Sequence, residues 1–179
     1  MRFVFYNNYM VEKSLNKVVY NIEKSNKLFN KLNIENNKVN LNNENGVNSK
    51  DNNLNKIKLM DALSLAFVGD AVHSLFVRSI LVSNADYKQK DLQAKTSAIV
   101  NANNQSKTLT KIEHLLSDEE RAIMLRARNA HTNNKAKNST LQDYKKSTAY
   151  EAILGLLYLK QEYDRLFEFL KQSLSNEEE

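Results

Sequence analysis

The stretch that decides the fold is Phe67-Val68-Gly69-Asp70-Ala71-Val72, in which an aspartate stands inside an apolar segment. Apolar residues recur around it at the three- and four-residue spacing of a helix, and they predict a helix over residues 59–82. A second acid of this kind, Glu151, stands in Ser147-Thr148-Ala149-Tyr150-Glu151-Ala152-Ile153-Leu154-Gly155. An ionised carboxylate is costly to bury unless it is paired or bound to a metal. Two such acids on two apolar helices therefore indicate a shared cation and a metal-dependent enzyme.

The composition of the chain favours helices and excludes several kinds of site. Its 179 residues include no cysteine, no proline and only 3 glycines, so turns and sheet edges lack their usual residues. The lack of cysteine excludes disulfides, zinc thiolate sites and cysteine nucleophiles, and it fits a reducing, cytoplasmic setting. No run of about 18 apolar residues is present, so we expect no transmembrane helix and no membrane partner. The formal net charge of +5 fits a polyanionic partner.

Three segments differ in composition. Residues 1–56 contain 17 asparagines and form a low-complexity extension rich in Asn and Lys, which we expect to be disordered. Its role stays open between a tail, a partner-binding arm and an organelle-targeting segment, the last being disfavoured because Arg2 is its only arginine. Residues 57–174 carry the helical periodicity and form the predicted domain. Residues 175–179 form an acidic tail that we expect to be frayed.

Start and stop signals divide the predicted domain into a bundle of about five to seven helices. A helix is predicted over residues 89–116, with the polar stretch 101–106 as a candidate break. Ser117 and Glu120 form a predicted capping box for the next helix, which runs to about residue 129. Residues 130–139 lack periodicity and are predicted to form an exposed loop. Thr140 with Asp143 is a second predicted cap, opening a helix to about residue 160, and a last helix covers residues 162–174.

Asp70 and Glu151 are the candidate catalytic residues and metal ligands. Their neighbours at helical spacing add only the Thr148 hydroxyl and the Tyr144 phenol, so the site offers oxygen donors. Such hard donors suit Mg²⁺, with Mn²⁺ as a substitute, and the bound cation can activate a water and neutralise a phosphate. We expect Thr148 to hold a water of the cation from behind the ligands, with Tyr144 beside it. His73 follows in the same helical stretch as Asp70 and could lie near the site.

A second interpretation of the two acids needs no chemistry. A lone acid in a helix is commonly exposed or paired with Lys or Arg. In that case the chain would be a purely structural helical dimer.

A basic segment precedes Glu151. Between residues 121 and 146 there are seven basic residues and one acid, Asp143. A positive field beside a metal site suits the phosphates of a nucleic acid, although a solvated helix end and loop would have the same composition. Tyr144 and Tyr150 are the nearby aromatics, which favours duplex recognition through shape and phosphates over base stacking. The candidate RNA-binding residues are Arg126, Arg128, Asn129, Lys135, Lys137, Lys145 and Lys146.

These motifs resemble those of a known family. The segments around Asp70 and Glu151 are similar to the signature and the second acidic motif of the ribonuclease III catalytic domain. The closer resemblance is to the Mini-ribonuclease III subfamily, because Arg126-Ala127-Arg128-Asn129-Ala130 and Lys137-Asn138-Ser139-Thr140 also resemble its basic segment and the approach to its last catalytic helix. The resemblance covers about residues 57–174 and leaves residues 1–56 unexplained.

The resemblance implies an all-α, homodimeric endonuclease that cleaves double-stranded RNA with Mg²⁺. It implies 5′-phosphate and 3′-hydroxyl ends, and the large-subunit (23S) ribosomal RNA precursor as substrate, with a ribosomal protein as a further partner. The subfamily has no separate double-stranded RNA-binding domain, and we expect none in the short stretch after Leu174.

One departure from the larger family leaves an alternative open. Full-length ribonuclease III carries further acids where this chain has Leu63, Ala66 and Thr148. The Mini subfamily resembles this chain in lacking them, which favours an active enzyme. The alternative is a non-catalytic module that binds structured RNA or the ribosome on a degenerate nuclease fold.

Overall fold

The computed structural model describes residues 49–84, 86–130 and 139–174 of the chain. All regular structure in these three ranges is helical, which confirms the all-α prediction. The helices are α1 (Ser49–Lys58), α2 (Ala62–Asn84), α3 (Gln89–Ile99), α4 (Ala102–Ile112), α5 (Asp118–Asn129), α6 (Leu141–Leu159) and α7 (Tyr163–Leu174), with a 3₁₀ turn at Glu113–Leu115 between α4 and α5.

Helix α6 is the centre of the bundle. It packs against α2, α4, α5 and α7, and its most extensive contact is with α2. From residue 147 to residue 157 every residue of α6 is buried except Glu151. A helix that is apolar on all sides belongs in a core. Glu151 is therefore the one half-buried position in an otherwise buried and mostly apolar stretch.

Two glycines set the distance between the central helices. A Cβ added to Gly69 of α2 would overlap the backbone carbonyl of Glu151, and one added to Gly155 of α6 would overlap the backbone carbonyl of Leu65. Any residue larger than glycine would push the two backbones apart. The close approach occurs at Gly69, directly before Asp70, and it brings the segments that carry the two acids together.

The predicted helix starts are confirmed in detail. Ser117 Oγ accepts a hydrogen bond from the Glu120 amide at 3.3 Å, and Glu120 Oε2 accepts one from the Ser117 amide at 2.7 Å. Thr140 Oγ1 accepts from the Asp143 amide at 3.1 Å. The candidate break is also present, since Asn101 separates α3 from α4 and its Oδ1 accepts from the Asn104 amide at 2.9 Å. Side-chain oxygens thus satisfy amides that the first turn of a helix leaves free.

The predicted disordered segment 1–56 is helical at its end. Helix α1 includes residues 49–56, where the asparagine-rich composition predicts no regular structure, and the buried Ile57 ties its end to the core. The rest of that extension, most of the predicted loop 130–139, and residues 175–179 lie outside the described residues.

The lack of a continuous apolar run does not exclude a membrane span, because one described helix is long and apolar enough by length and composition. The segment Ala62–Ser83 of α2 is long and apolar enough, because its few polar residues do not offset its apolar majority. Half of the apolar window is buried inside the protein, as in the core helix of a bundle.

Candidate active site

Asp70 and Glu151 lie on the two helices of the α2–α6 contact, and they differ in exposure. Asp70 is exposed, whereas Glu151 is half-buried. Burial, and after it the negative charge of Asp70, raise the pKa of the Glu151 carboxyl to about 8, although a hydrogen bond from Gln105 acts in the opposite direction. The two acids are therefore close enough to interact electrostatically, which their separation in the sequence could not establish.

The donor set at these acids fits a hard divalent cation. Within the described ranges neither acid forms an ion pair with Lys, Arg or His, which counts against the interpretation that they are structural ion-pair partners. The described part of the chain contains no group of three or more His, Asp and Glu side chains suited to a metal. A cation held by two carboxylates would complete its coordination with water and substrate oxygens, as Mg²⁺ commonly does.

Thr148 and Tyr144 lie on α6 in the two turns before Glu151. The Thr148 hydroxyl is buried and donates to the backbone oxygen of Tyr144 at 3.1 Å. Its hydrogen is thereby committed to the helix, and its lone pairs are left as acceptors. The Tyr144 side chain is half-buried. The roles assigned to these two residues stay predictions.

Four of the candidate RNA-binding residues surround one cavity, which we call the basic cavity. It has a volume of about 480 Å³ and lies where the end of α5 meets the start of α6. Its lining residues are Arg128, Asn129, Leu141, Gln142, Lys145 and Lys146. Lys146 also donates from Nζ to Thr110 Oγ1 at 3.1 Å, which holds its ammonium group at the surface of α4. Helix α6 rises about 1.5 Å per residue, so Glu151 lies roughly 8 Å along the axis from Lys146.

The other three candidates are placed differently or not described. Arg126 is exposed and donates from Nη2 to the backbone oxygen of Lys58 at 2.8 Å, away from the basic cavity lining. Lys135 and Lys137 lie outside the described residues.

The sequence analysis missed a buried polar chain behind Glu151. Gln105 is 2% exposed and lies within hydrogen-bonding distance of His73, which is fully buried and contacts Ser173 of α7. The sequence indicates His73 only through its position after Asp70. The available signal was a cluster of polar residues on the core-facing side of α4, which resembles a helix break in the sequence alone.

Comparisons with known proteins agree on one family. A sequence model described as "Ribonuclease III domain" matches residues 63–162. The chain is 39% identical to Mini-ribonuclease 3 of Clostridium tetani over 69% of this chain and 82% of that relative. It is 38% identical to Mini-ribonuclease 3 of Staphylococcus aureus over 68% of this chain and 92% of that relative.

A solved structure has the same fold. The chain is similar to a crystal structure of a Fusobacterium nucleatum protein, with a TM-score of 0.62 and 32% sequence identity. The match covers 68% of this chain and 98% of the solved chain.

Proposed function

The chain belongs to the ribonuclease III domain family and is an endoribonuclease of the Mini-ribonuclease 3 type, and on this premise we propose that Asp70 and Glu151 hold the Mg²⁺ with which it cuts double-stranded RNA. The observation that carries this proposal is a pair of acids at the α2–α6 contact that form no ion pair with a basic side chain in the described residues. Burial and the charge of Asp70 raise the pKa of Glu151 to about 8. A divalent cation offsets the repulsion between two carboxylates and favours their charged forms. Mn²⁺ is the proposed substitute, since it prefers the same oxygen donors.

The two acids have different parts in this proposal. When bound, a divalent cation supplies an activated water and neutralises charge on the scissile phosphate, which leaves 5′-phosphate and 3′-hydroxyl ends. Glu151 is fixed by the apolar walls around it, whereas Asp70 faces solvent and the RNA. We assign Thr148 to a water of the cation, because its oxygen retains acceptor capacity, and Tyr144 to the surroundings of that water.

The basic cavity positions the RNA in this proposal. Arg128, Lys145 and Lys146 contribute positive charge and Asn129 an amide, all at one cavity between the end of α5 and the start of α6, the helix that carries Glu151. Contacts of this kind bind phosphates and set the register of a duplex without reading its sequence. Arg126, Lys135 and Lys137 would extend the same contact along the duplex.

The proposed assembly is a homodimer. Cleavage of both strands of a duplex needs two sites, and a two-fold axis supplies two equivalent ones. By the family resemblance we propose the 23S ribosomal RNA precursor as substrate, the cytoplasm as location and a ribosomal protein as an additional partner.

The test is cleavage of a labelled RNA duplex by purified protein, with Mg²⁺ or with EDTA. Asp70→Asn and Glu151→Gln should lose cleavage by more than the ~10–100-fold typical of residues behind a metal site, while both retain RNA binding. Asp164→Asn is the matched control, because Asp164 is an exposed acid on α7, and it should cut normally. Products should be sensitive to an exonuclease that requires a 5′-phosphate.

Two outcomes would contradict the proposal. Equal cleavage in EDTA would exclude the metal requirement. A duplex that the wild-type protein shifts but leaves uncut would instead favour the non-catalytic RNA-binding alternative.

A further inference from the structure

We propose that Gln105 is a positioning residue for Glu151, held in one amide orientation by a hydrogen-bonded chain through His73 and Ser173. The proposal rests on the proposed function, since it assumes that Glu151 is a metal ligand. It adds a residue from α4 to a site otherwise built from α2 and α6.

The chain of contacts crosses the buried side of the site. Gln105 Nε2 lies 3.1 Å from His73 Nδ1, and His73 Nε2 lies 3.0 Å from Ser173 Oγ. Ser173 Oγ donates to the backbone oxygen of Leu170 at 2.7 Å. Gln105, His73 and Ser173 are at most 2% exposed, so water cannot replace these partners freely.

The direction of each hydrogen bond follows from the fixed end of the chain. Because the Ser173 hydrogen goes to Leu170, the Ser173 oxygen must accept from His73 Nε2–H. In a neutral imidazole the other nitrogen is then an acceptor, so His73 Nδ1 requires a donor. Burial lowers the pKa of His73 to about 4, which keeps the ring neutral at physiological pH.

This assignment fixes the Gln105 side chain. Its amide nitrogen, and not its oxygen, must face His73. The same side chain lies next to the Glu151 carboxyl and lowers the pKa of that carboxyl, which favours the charged form. If the Gln105 amide were flipped, its oxygen would face the lone pair on His73 Nδ1, which is unfavourable. The His73–Ser173 hydrogen bond therefore determines that the Gln105 amide nitrogen is the donor available to Glu151.

A merely structural role makes a different prediction. If Gln105 only satisfies buried polar groups, its loss should lower thermal stability and leave metal binding unchanged. If it orients Glu151, its loss should weaken metal binding in a protein that remains folded. Partners behind metal ligands typically contribute about 10–100-fold to metal affinity or activity.

The experiment is a calorimetric titration of RNA-free protein with Mg²⁺ and with Mn²⁺, beside duplex binding in EDTA and cleavage at several Mg²⁺ concentrations. Gln105→Met keeps the length of the side chain and removes its donors. Thr108→Val is the control, because Thr108 is a fully buried residue one turn further along α4 whose hydroxyl donates to the backbone oxygen of Asn104. His73→Phe is a second variant, in which the Gln105 orientation is no longer selected.

The expected result for Gln105→Met is metal affinity weakened about 10–100-fold, unchanged duplex binding in EDTA, and a fall in kcat with KM for RNA retained. His73→Phe should weaken metal affinity in the same direction, and it carries the test if Gln105→Met does not fold. Thr108→Val should change the melting temperature only.

The experiment distinguishes failure of the positioning role from failure of the proposed function. Suppose that the wild type binds Mg²⁺ and cuts RNA. If Gln105→Met and His73→Phe then bind the metal as tightly as the wild type does, the positioning role alone is overturned. A wild type that binds neither Mg²⁺ nor Mn²⁺ would overturn the proposed function and this inference with it.

Discussion

At the residue scale, the Glu151 carboxyl lowers the free energy of unfolding of the metal-free protein at neutral pH. Its pKa lies near 8 in the folded state, because of burial and Asp70, against 4.5 for an ordinary glutamate. The unfolded chain therefore releases this proton first, and stability falls as pH rises from about 4.5 to 8. Glu151→Gln removes this effect, so in EDTA the variant should be more stable than wild type by about 1–3 kcal/mol at pH 7.

Urea unfolding at pH 5 and pH 7.5 measures this difference. The advantage of the variant should be small at pH 5 and larger at pH 7.5. Mg²⁺ should then raise the stability of wild type and leave the variant unchanged. The same advantage at both pH values would contradict the raised pKa.

His73 makes the opposite contribution to the pH dependence. Burial lowers its pKa from 6.5 to about 4, so between these pH values His73 is protonated in the unfolded chain and neutral in the folded protein. The stability from a neutral His73 is fully present above about pH 6.5 and is lost as pH falls towards 4. Relative to His73→Phe, wild type should lose about 2 kcal/mol of unfolding free energy between pH 7.5 and pH 5. Parallel pH profiles of the two proteins would show that His73 titrates normally.

The residues of the site differ in how far the sequence reveals them. Asp70 and Glu151 could be predicted because a charge inside an apolar helix needs a reason. Gln105 could not, since a neutral amide among Asn, Ser and Thr is typical of a surface or a break. Its proposed role depends on its contact with His73, which in turn contacts Ser173, and these two residues come from other helices.

At the element scale, the contact between α2 and α6 depends on two glycines. Gly69→Ala should destabilise the protein by about 1–3 kcal/mol, because its Cβ would overlap the Glu151 carbonyl. It should also reduce cleavage, since the acids would be displaced relative to each other. Helix propensity alone predicts the reverse, a gain of up to about 1 kcal/mol. Thermal unfolding and duplex cleavage of Gly69→Ala and Gly155→Ala decide between these two expectations.

The helices themselves vary in how predictable they are. Helices α5 and α6 could be placed because Ser117 and Thr140 supply local caps that are visible in the sequence. Helix α1 could not, because Asn52, Asn53 and Asn55 have poor helix propensity. The buried Ile57 packs its end against the core, and tertiary packing of this kind overrides a weak local preference.

At the scale of the whole molecule, α2 has an apolar face that nothing in the described chain covers. Phe67 is 81% exposed, Leu75 53% and Val82 66%, and all three lie on this helix. The spacing of Phe67, Ala71 and Leu75 places them along one stripe, next to Asp70. This stripe also explains why α2 is apolar enough to resemble a membrane span. In the proposed homodimer, a second copy of the chain covers it and brings two sites to one duplex.

Disruption of this stripe tests the dimer and its link to cleavage together. Phe67→Lys and Leu75→Lys should weaken self-association by at least about 30-fold, because buried apolar anchors dominate interface energies. Sedimentation equilibrium should show a wild-type dimer and variant monomers with unchanged helical circular dichroism. Leu115→Lys is the control, as Leu115 is an exposed leucine outside α2, and it should remain dimeric. Since neither lysine replaces a metal ligand, Mg²⁺ should still bind the monomers, whereas double-strand cleavage, which needs both sites on one duplex, should be lost. A wild type that is monomeric at micromolar concentration and still cuts both strands would contradict the two-fold arrangement.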